Sequence, residues 1–311
     1  MKMTQKTLHI INGDSLVSRL HDIGIHDDQL VWREMLCEGK TVFNLASDDF
    51  KNARVNYLAQ FEATEETYVT SFLKPLLETN YKEYTSIVLW FEYDVFCHIN
   101  MIAALSYLKT KKLDIPIYLV CSGWIPKETH LKGLGELTDK QLLKHYNEKI
   151  TLTKYDIMLA NELWRLYCTD DHTIFKEFVT HKSSFPYLSN CISAHLKRFP
   201  DVTNGLNILE TNILKIIKKE KIKSIHHLTG YVLQYQGYYG FGDLQIKNII
   251  HKLAGFFEIQ KEQVVLNRQG HLALDHIKSF YDLVTDDTIF GGCKKYEYCY
   301  HPTQQILTKH E

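Results

Sequence analysis

The chain is most informative first in what it lacks. Its seven cysteines, at 37, 97, 121, 168, 191, 293 and 299, form no CxxC pair. An odd, scattered set of this kind points to reduced thiols and a cytoplasmic protein. Sixteen histidines include no HExxH or HxxxH arrangement, which removes the common zinc patterns. No glycine run has the GxGxxG or Walker spacing, so neither a classical dinucleotide site nor a P-loop is expected. No apolar run approaches the roughly 18 residues of a spanning helix, and MKMTQKTLHI lacks the apolar segment of a signal peptide. Charge is balanced as well: 36 Lys and Arg against 37 Asp and Glu leave a net charge of −1, with no overall bias toward nucleic acid or anionic membrane.

What is present is an ordinary globular balance, 45% hydrophobic and 23% charged, in 311 residues. That length is more than one core usually fills. LHIIN (8–12) reads as a short strand, followed by helical spacing at Leu16, Leu20 and Ile23. DQLVWREML (28–36) reads as a second strand, and residues 48–80 as helical, with Leu58, Phe61, Phe72, Leu73, Leu76 and Leu77 facing a core. SIVLWFEYD (86–94) is a continuous apolar strand of the kind buried on both faces of a parallel sheet. The helix VFCHINMIAALSYLKT and the strand IPIYLVCSG (115–123) follow. Strands alternating with helices predict an α/β domain over 1–135, with a parallel Rossmann-like or flavodoxin-like sheet.

Residues 136–200 read as helical throughout, and RFPDVTNGLN (198–207) as a boundary. From 201 to 311 the pattern is a helix striped at 206, 209, 213, 216 and 217, a second helix over Ser224–Tyr235 and a third over Asp243–Ala254. VVLNRQGHLALD (264–275) then reads as strand, turn, strand. That order predicts a winged-helix-like module. Its third helix would turn Gln245, Lys247, Asn248, His251 and Lys252 outward, with Arg268 at the wing tip, residue types that can read bases or phosphates.

Open parallel sheets bind ligands outside the carboxyl ends of their strands. There the sequence places Asn12, Gly13, Asp14 and Ser15; then Trp32, Arg33 and Glu34, with Glu38 close by; then Glu92 and Asp94, with Cys97, His98 and Asn100; and finally Cys121, Ser122, Gly123 and Trp124. Each has a plain structural reading. Asp14 or Ser15 would cap a helix, and Asp94 would cap the helix from Val95. Together, Asp14, Glu34 or Glu38, Glu92 and Asp94 would repel unless a cation sits among them. Arg33, Arg54 or a divalent metal such as Mg²⁺ would serve.

Those same stretches, HIINGDSLVSRL, LVWREMLCEG, NARVNYL around Arg54 and LWFEYDVFCHIN, resemble a bacterial family catalogued as domain of unknown function 1835. Its members show HxxNGDS, VWREALCEGP and WFEHDLFCQ at the corresponding places. The similarity continues through LKGLGELT, FPYLSNCISAHLKRFP, NGLNILE and GFGD to FGGCKKYEY. The resemblance implies a bacterial cytoplasmic protein with an N-terminal α/β domain and a helical C-terminal region, and it brings no activity with it. Its polar signature falls on His9, Asn12, Asp14, Ser15, Trp32, Arg33, Glu34, Glu38, Gly39, Glu92, Asp94 and Asn100. Lys40 stands where members often have Pro, Tyr93 where they often have His, and His98 where they often have Gln.

These readings converge on a pocket for a small-molecule or nucleotide-like ligand. Asp14, Glu34, Glu92 and Asp94 are its candidate catalytic acids, with Asp14, Glu92 and Asp94 as metal ligands. Asn12, Gly13, Ser15, Trp32, Arg33, Glu38 and Asn100 would contact the ligand. The chemistry expected is metal-assisted hydrolysis or transfer. The competing expectation is a regulator without chemistry, whose winged-helix-like module binds DNA or a partner protein.

Overall fold

The computed structural model describes residues 6–310. They form two compact units, each discontinuous in sequence. One comprises residues through Asp170 with Thr180–Leu188 and Phe290–Gly292. The other comprises Asp171–Val179, Ser189–Ile289 and residues from Cys293 onward. Among the described residues, no helix is long and apolar enough to cross a membrane.

The first unit is built on a five-stranded sheet. Its strands are β1 (Thr7–Asn12), β2 (Asp28–Trp32), β4 (Ser86–Trp90), β5 (Ile117–Val120) and β6 (Ile150–Thr151), in the order β2-β1-β4-β5-β6. A further two-residue strand, β3 (Gly39–Lys40), lies outside this sheet and pairs in parallel with Phe290 and Gly291. β1, β2, β4 and β5 run parallel and β6 antiparallel. The chain steps from β1 outward to β2, then returns to the other side of β1 to lay down β4. The strand order therefore reverses between β1 and β4, and the carboxyl ends of these two strands are where open parallel sheets place a ligand crevice.

Helices α1 (Val17–Asp22), α2 (Asp48–Leu58), α3 (Glu65–Tyr68), α4 (Lys74–Glu78), α5 (Val95–Thr110), α6 (Asp139–Asn147) and α7 (Lys154–Tyr167) complete this unit. In α5, Val95 and every residue from Cys97 to Leu108 are buried, as expected of a helix apolar on all sides that is enclosed by sheet and helices. α5 packs along α7.

Several expected elements are shorter, and side chains explain why. The second strand, expected to reach residue 36, stops at Trp32. Beyond it the backbone is satisfied by side chains instead of a ladder: Met35 N donates to Glu34 Oε2 at 2.9 Å and Leu36 N to Asn100 Oδ1 at 3.1 Å. The expected helix over 48–80 breaks before Thr64, which forms a capping box with Thr67, and resumes through a π-helical stretch at Val69–Leu73. β6 interrupts a region expected to be wholly helical, because two residues leave no alternation to read. Residues 198–207, expected to form a break, lie within the second unit, with Phe199, Asn204 and Leu206 fully buried.

In the second unit, α8 (Phe175–Phe178) and α9 (Leu188–Leu196, whose first residue belongs to the first unit) precede α10 (Ile208–Lys219), α11 (Ile225–Tyr235) and α12 (Asp243–Lys252). A hairpin of β7 (Phe257–Gln260) and β8 (Gln263–Leu266) follows, turning at Lys261 and Glu262, both with positive φ. The expected second strand of 264–275 is instead helix α13 (Arg268–Leu274). Asn267 Oδ1 accepts from the backbone N–H of Gln269 and Gly270 and starts that helix. Arg268 therefore opens a helix and does not sit at a hairpin tip. Gln245, expected outward, is buried and accepts from Gly242 N, and Lys252 is paired with Asp286.

The loop after β2 is organised by one ion pair. Arg54 of α2 and Glu34 have 0% side-chain exposure and meet at 2.8 Å. The remaining guanidinium N–H groups reach the carbonyls of Met35, Glu38 and Lys40 at 2.8–3.2 Å. Replacing Arg54 with Met strands the Glu34 carboxylate and should cost about 3–5 kcal/mol of stability. The double replacement Arg54→Met with Glu34→Leu should recover most of it in urea titrations. A double variant as unstable as the single would show that the carbonyl contacts, not the charge pair, hold the loop.

Candidate functional site

Beyond the carboxyl end of β4, Phe91, Glu92, Tyr93 and Asp94 lead directly into the first turn of α5. Asp94 caps that helix as expected, its Oδ1 accepting from Cys97 N at 2.8 Å. This fixes the Asp94 carboxyl beside the turn and turns Cys97 toward it. Glu92, Asp94 and Cys97 each offer a ligand atom, and the three atoms lie within 4.8 Å of one another. Among the described residues, no Lys, Arg or His forms an ion pair with Glu92 or Asp94.

Two acids so placed keep their protons more tightly than usual. Burial, with Asp94 alongside, pushes the Glu92 carboxyl up to about 7. Burial raises Asp94 to about 6, although N–H groups from Cys97 and Phe96 oppose it. Burial and both acids push the Cys97 thiol well up, so it is a poor free nucleophile. Its sulfur accepts from Asn12 Nδ2 at 3.1 Å. His98 is held neutral by burial, lowered to about 4, with Nδ1 on the Asp94 carbonyl.

A glycine-containing strap covers Glu92. Leu134 N donates to Glu92 Oε1 at 2.6 Å, and the Gly135 N–H faces the same carboxylate. A Cβ on Gly133 would lie 2.7 Å from Glu92 Oε2, so a larger residue there would push the carboxylate out of its present place. Nearby, Tyr187 OH accepts from Trp124 N at 2.7 Å, and its ring meets Tyr93 at 6.0 Å.

The expected residues divide into groups. Glu92 and Asp94 come together, joined by Cys97 in the place expected for Asp14. Asp14 is 63% exposed and is gripped by Arg33, at 2.6 Å through Nη2. Arg33 also donates to the Ser71 carbonyl. Glu34 is not at the site: Arg54, Tyr68 OH at 2.6 Å and Met35 N occupy its oxygens. Glu38 accepts from Tyr57 OH at 3.2 Å. Trp32 is a core residue, edge-on to Phe72 at 5.1 Å. Asn100 is a buried bracket, its Nδ2 donating to Asn12 Oδ1 at 2.8 Å and to the Glu34 carbonyl at 2.6 Å. His9 sits within the sheet, accepting from Trp90 Nε1. Neither Asp14 nor Ser15 caps a helix; Gly13, with φ 81°, precedes the turn, and Ser15 is exposed.

Arg19, Gly133 and the Leu134 and Gly135 amides were not expected at the site. The closely spaced glycines of LKGLGELT were the one local signal. Neither a protein-family model nor a curated protein matches this chain.

The cap and the acid can be separated experimentally. Asp94→Ala removes the cap and should cost about 1 kcal/mol, whereas Asp94→Asn caps equally well and should be close to neutral. Equal losses for the two variants in thermal melts would show that the charge, not the cap, carries the stability at this position.

Proposed function

We propose that the first unit is a Rossmann-like, flavodoxin-like enzyme domain that holds a divalent cation on Glu92, Asp94 and Cys97. The cation would serve hydrolysis or group transfer on a small, nucleotide-like substrate in the β1/β4 crevice. The observation that carries this reading is a set of three donor atoms within 4.8 Å at the reversal of strand order, with no ion-paired cation among the described residues. Uncompensated acids of this kind call for positive charge. A bound cation supplies Lewis acidity and a more acidic water. The thiol favours a borderline-soft ion such as Zn²⁺ over the Mg²⁺ expected from carboxylates alone. Asn12 steadies the sulfur, and Arg33, half-exposed, offers a cation to an anionic substrate group. Membership in the domain-of-unknown-function-1835 family is part of the same proposal, supported by the motifs that surround Glu92 and Asp94.

For the second unit, a winged-helix-like reading is supported by α10 packing against α11, α12 and β8, with the hairpin following α12 after a short 3-10 turn at Leu253–Phe256. Nucleic acid is not the favoured partner. The exposed side of α12 mixes Asp243 and Leu244 with Lys247, Asn248 and His251, which is no basic stripe.

Thermal shift with Zn²⁺, Mn²⁺ and Mg²⁺ tests the metal reading. At a hundredfold excess over Kd, a bound ion adds about 2.7 kcal/mol of stability to the wild type. Glu92→Gln and Asp94→Asn should lose that gain. A wild type that no ion stabilises, or variants that respond equally, would overturn it.

A further inference from the structure

Glu92 does not hold its own position. Its Oε1 is fastened by the Leu134 amide at 2.6 Å, and the strap bearing that amide is fastened in turn by one residue of α1, Arg19. Arg19 Nη1 donates to the carbonyls of Leu134 at 3.3 Å and Gly135 at 2.8 Å. Its Nη2 donates to the Leu137 carbonyl at 2.6 Å and to Asp139 Oδ1 at 3.0 Å. The guanidinium thus grips three carbonyls of the strap, those of Leu134, Gly135 and Leu137, while the amides of Leu134 and Gly135 reach Glu92. Leu134 and Leu137 anchor the strap in a core shared with Leu16 and Leu20, so the strap packs against the segment that carries Arg19.

We propose that Arg19 is a positioning residue for the metal centre, acting through the 133–137 strap to set the place of the Glu92 carboxylate. The inference rests on the metal reading above. A planar fork with fixed donors holds several carbonyls at once, which a lysine ammonium cannot do. Partners of this outer kind typically change metal affinity 10- to 100-fold when removed. The ion pair with Asp139 contributes little: Asp139 is 73% exposed, and exposed pairs are worth little.

The test uses the full chain as wild type, Arg19→Ala, Arg19→Lys and Asp139→Asn, with two readouts. Zn²⁺ affinity is measured by competition with a chromophoric chelator, and exchange of the Leu134 amide is measured by NMR on metal-free protein. Arg19→Ala should weaken Zn²⁺ binding about 10- to 100-fold and expose the Leu134 amide to exchange. Arg19→Lys should restore neither fully, and Asp139→Asn should match the wild type in both. If Arg19→Ala does not fold, Arg19→Lys carries the test. Wild-type affinity together with wild-type Leu134 protection in a folded Arg19 variant overturns the inference. If the wild type binds no Zn²⁺, the metal reading fails by itself; loss of Leu134 protection in the variant then still places Glu92 under the control of Arg19, and retained protection rejects that as well.

Discussion

A guanidinium removed from water must be surrounded by oxygen, and the first unit is arranged around one that is. Arg54 has no exposed side-chain surface, and its N–H groups reach Glu34 and three backbone carbonyls of the loop after β2. That loop would otherwise run as an unpaired edge with unsatisfied peptide groups. With Glu34 drawn inward, Asn100 takes the neighbouring backbone and also holds Asn12 at the end of β1. Asn12 in turn reaches the Cys97 sulfur. A chain of hydrogen bonds thus runs from the buried Arg54–Glu34 pair through Asn100 and Asn12 to the Cys97 sulfur beside Asp94.

The two strand-end regions illustrate opposite electrostatic solutions. Glu34 is buried with a matched cation and filled oxygens, which makes it part of the framework. Glu92 and Asp94 are withdrawn from water with amide donors but no ion-paired cation, and their affinity for protons rises. Such an arrangement costs stability unless something else gains from it, which is why it marks a functional candidate where Glu34 does not. Asp14 follows a third course: it is exposed and paired with Arg33, at little energetic consequence.

Much of the first unit was legible along the chain. Apolar runs located β1, β4 and β5, and alternation with helices implied a mainly parallel sheet with polar residues gathered at its carboxyl edge. The cap at Asp94 was readable from its place before Val95. Where side chains replaced a ladder, as at Glu34 and Asn100, the strand pattern ran on past the true end at Trp32. Where a single Asn could cap a helix, as at Asn267, an apparent second hairpin strand became helix.

Local chemistry determined the segments and which end of the sheet bears the acids, because period and capping depend on neighbours a few residues apart. Tertiary structure alone decided which carboxylate received a cation. Arg54 lies 20 residues from Glu34 and claims it, while the strap over Glu92 lies 42 residues beyond that acid and is held by Arg19, 115 residues before Leu134. Ionic and amide contacts act over a few ångströms of space without regard to separation along the chain, so no spacing in the sequence distinguishes the buried, satisfied Glu34 from the uncompensated Glu92.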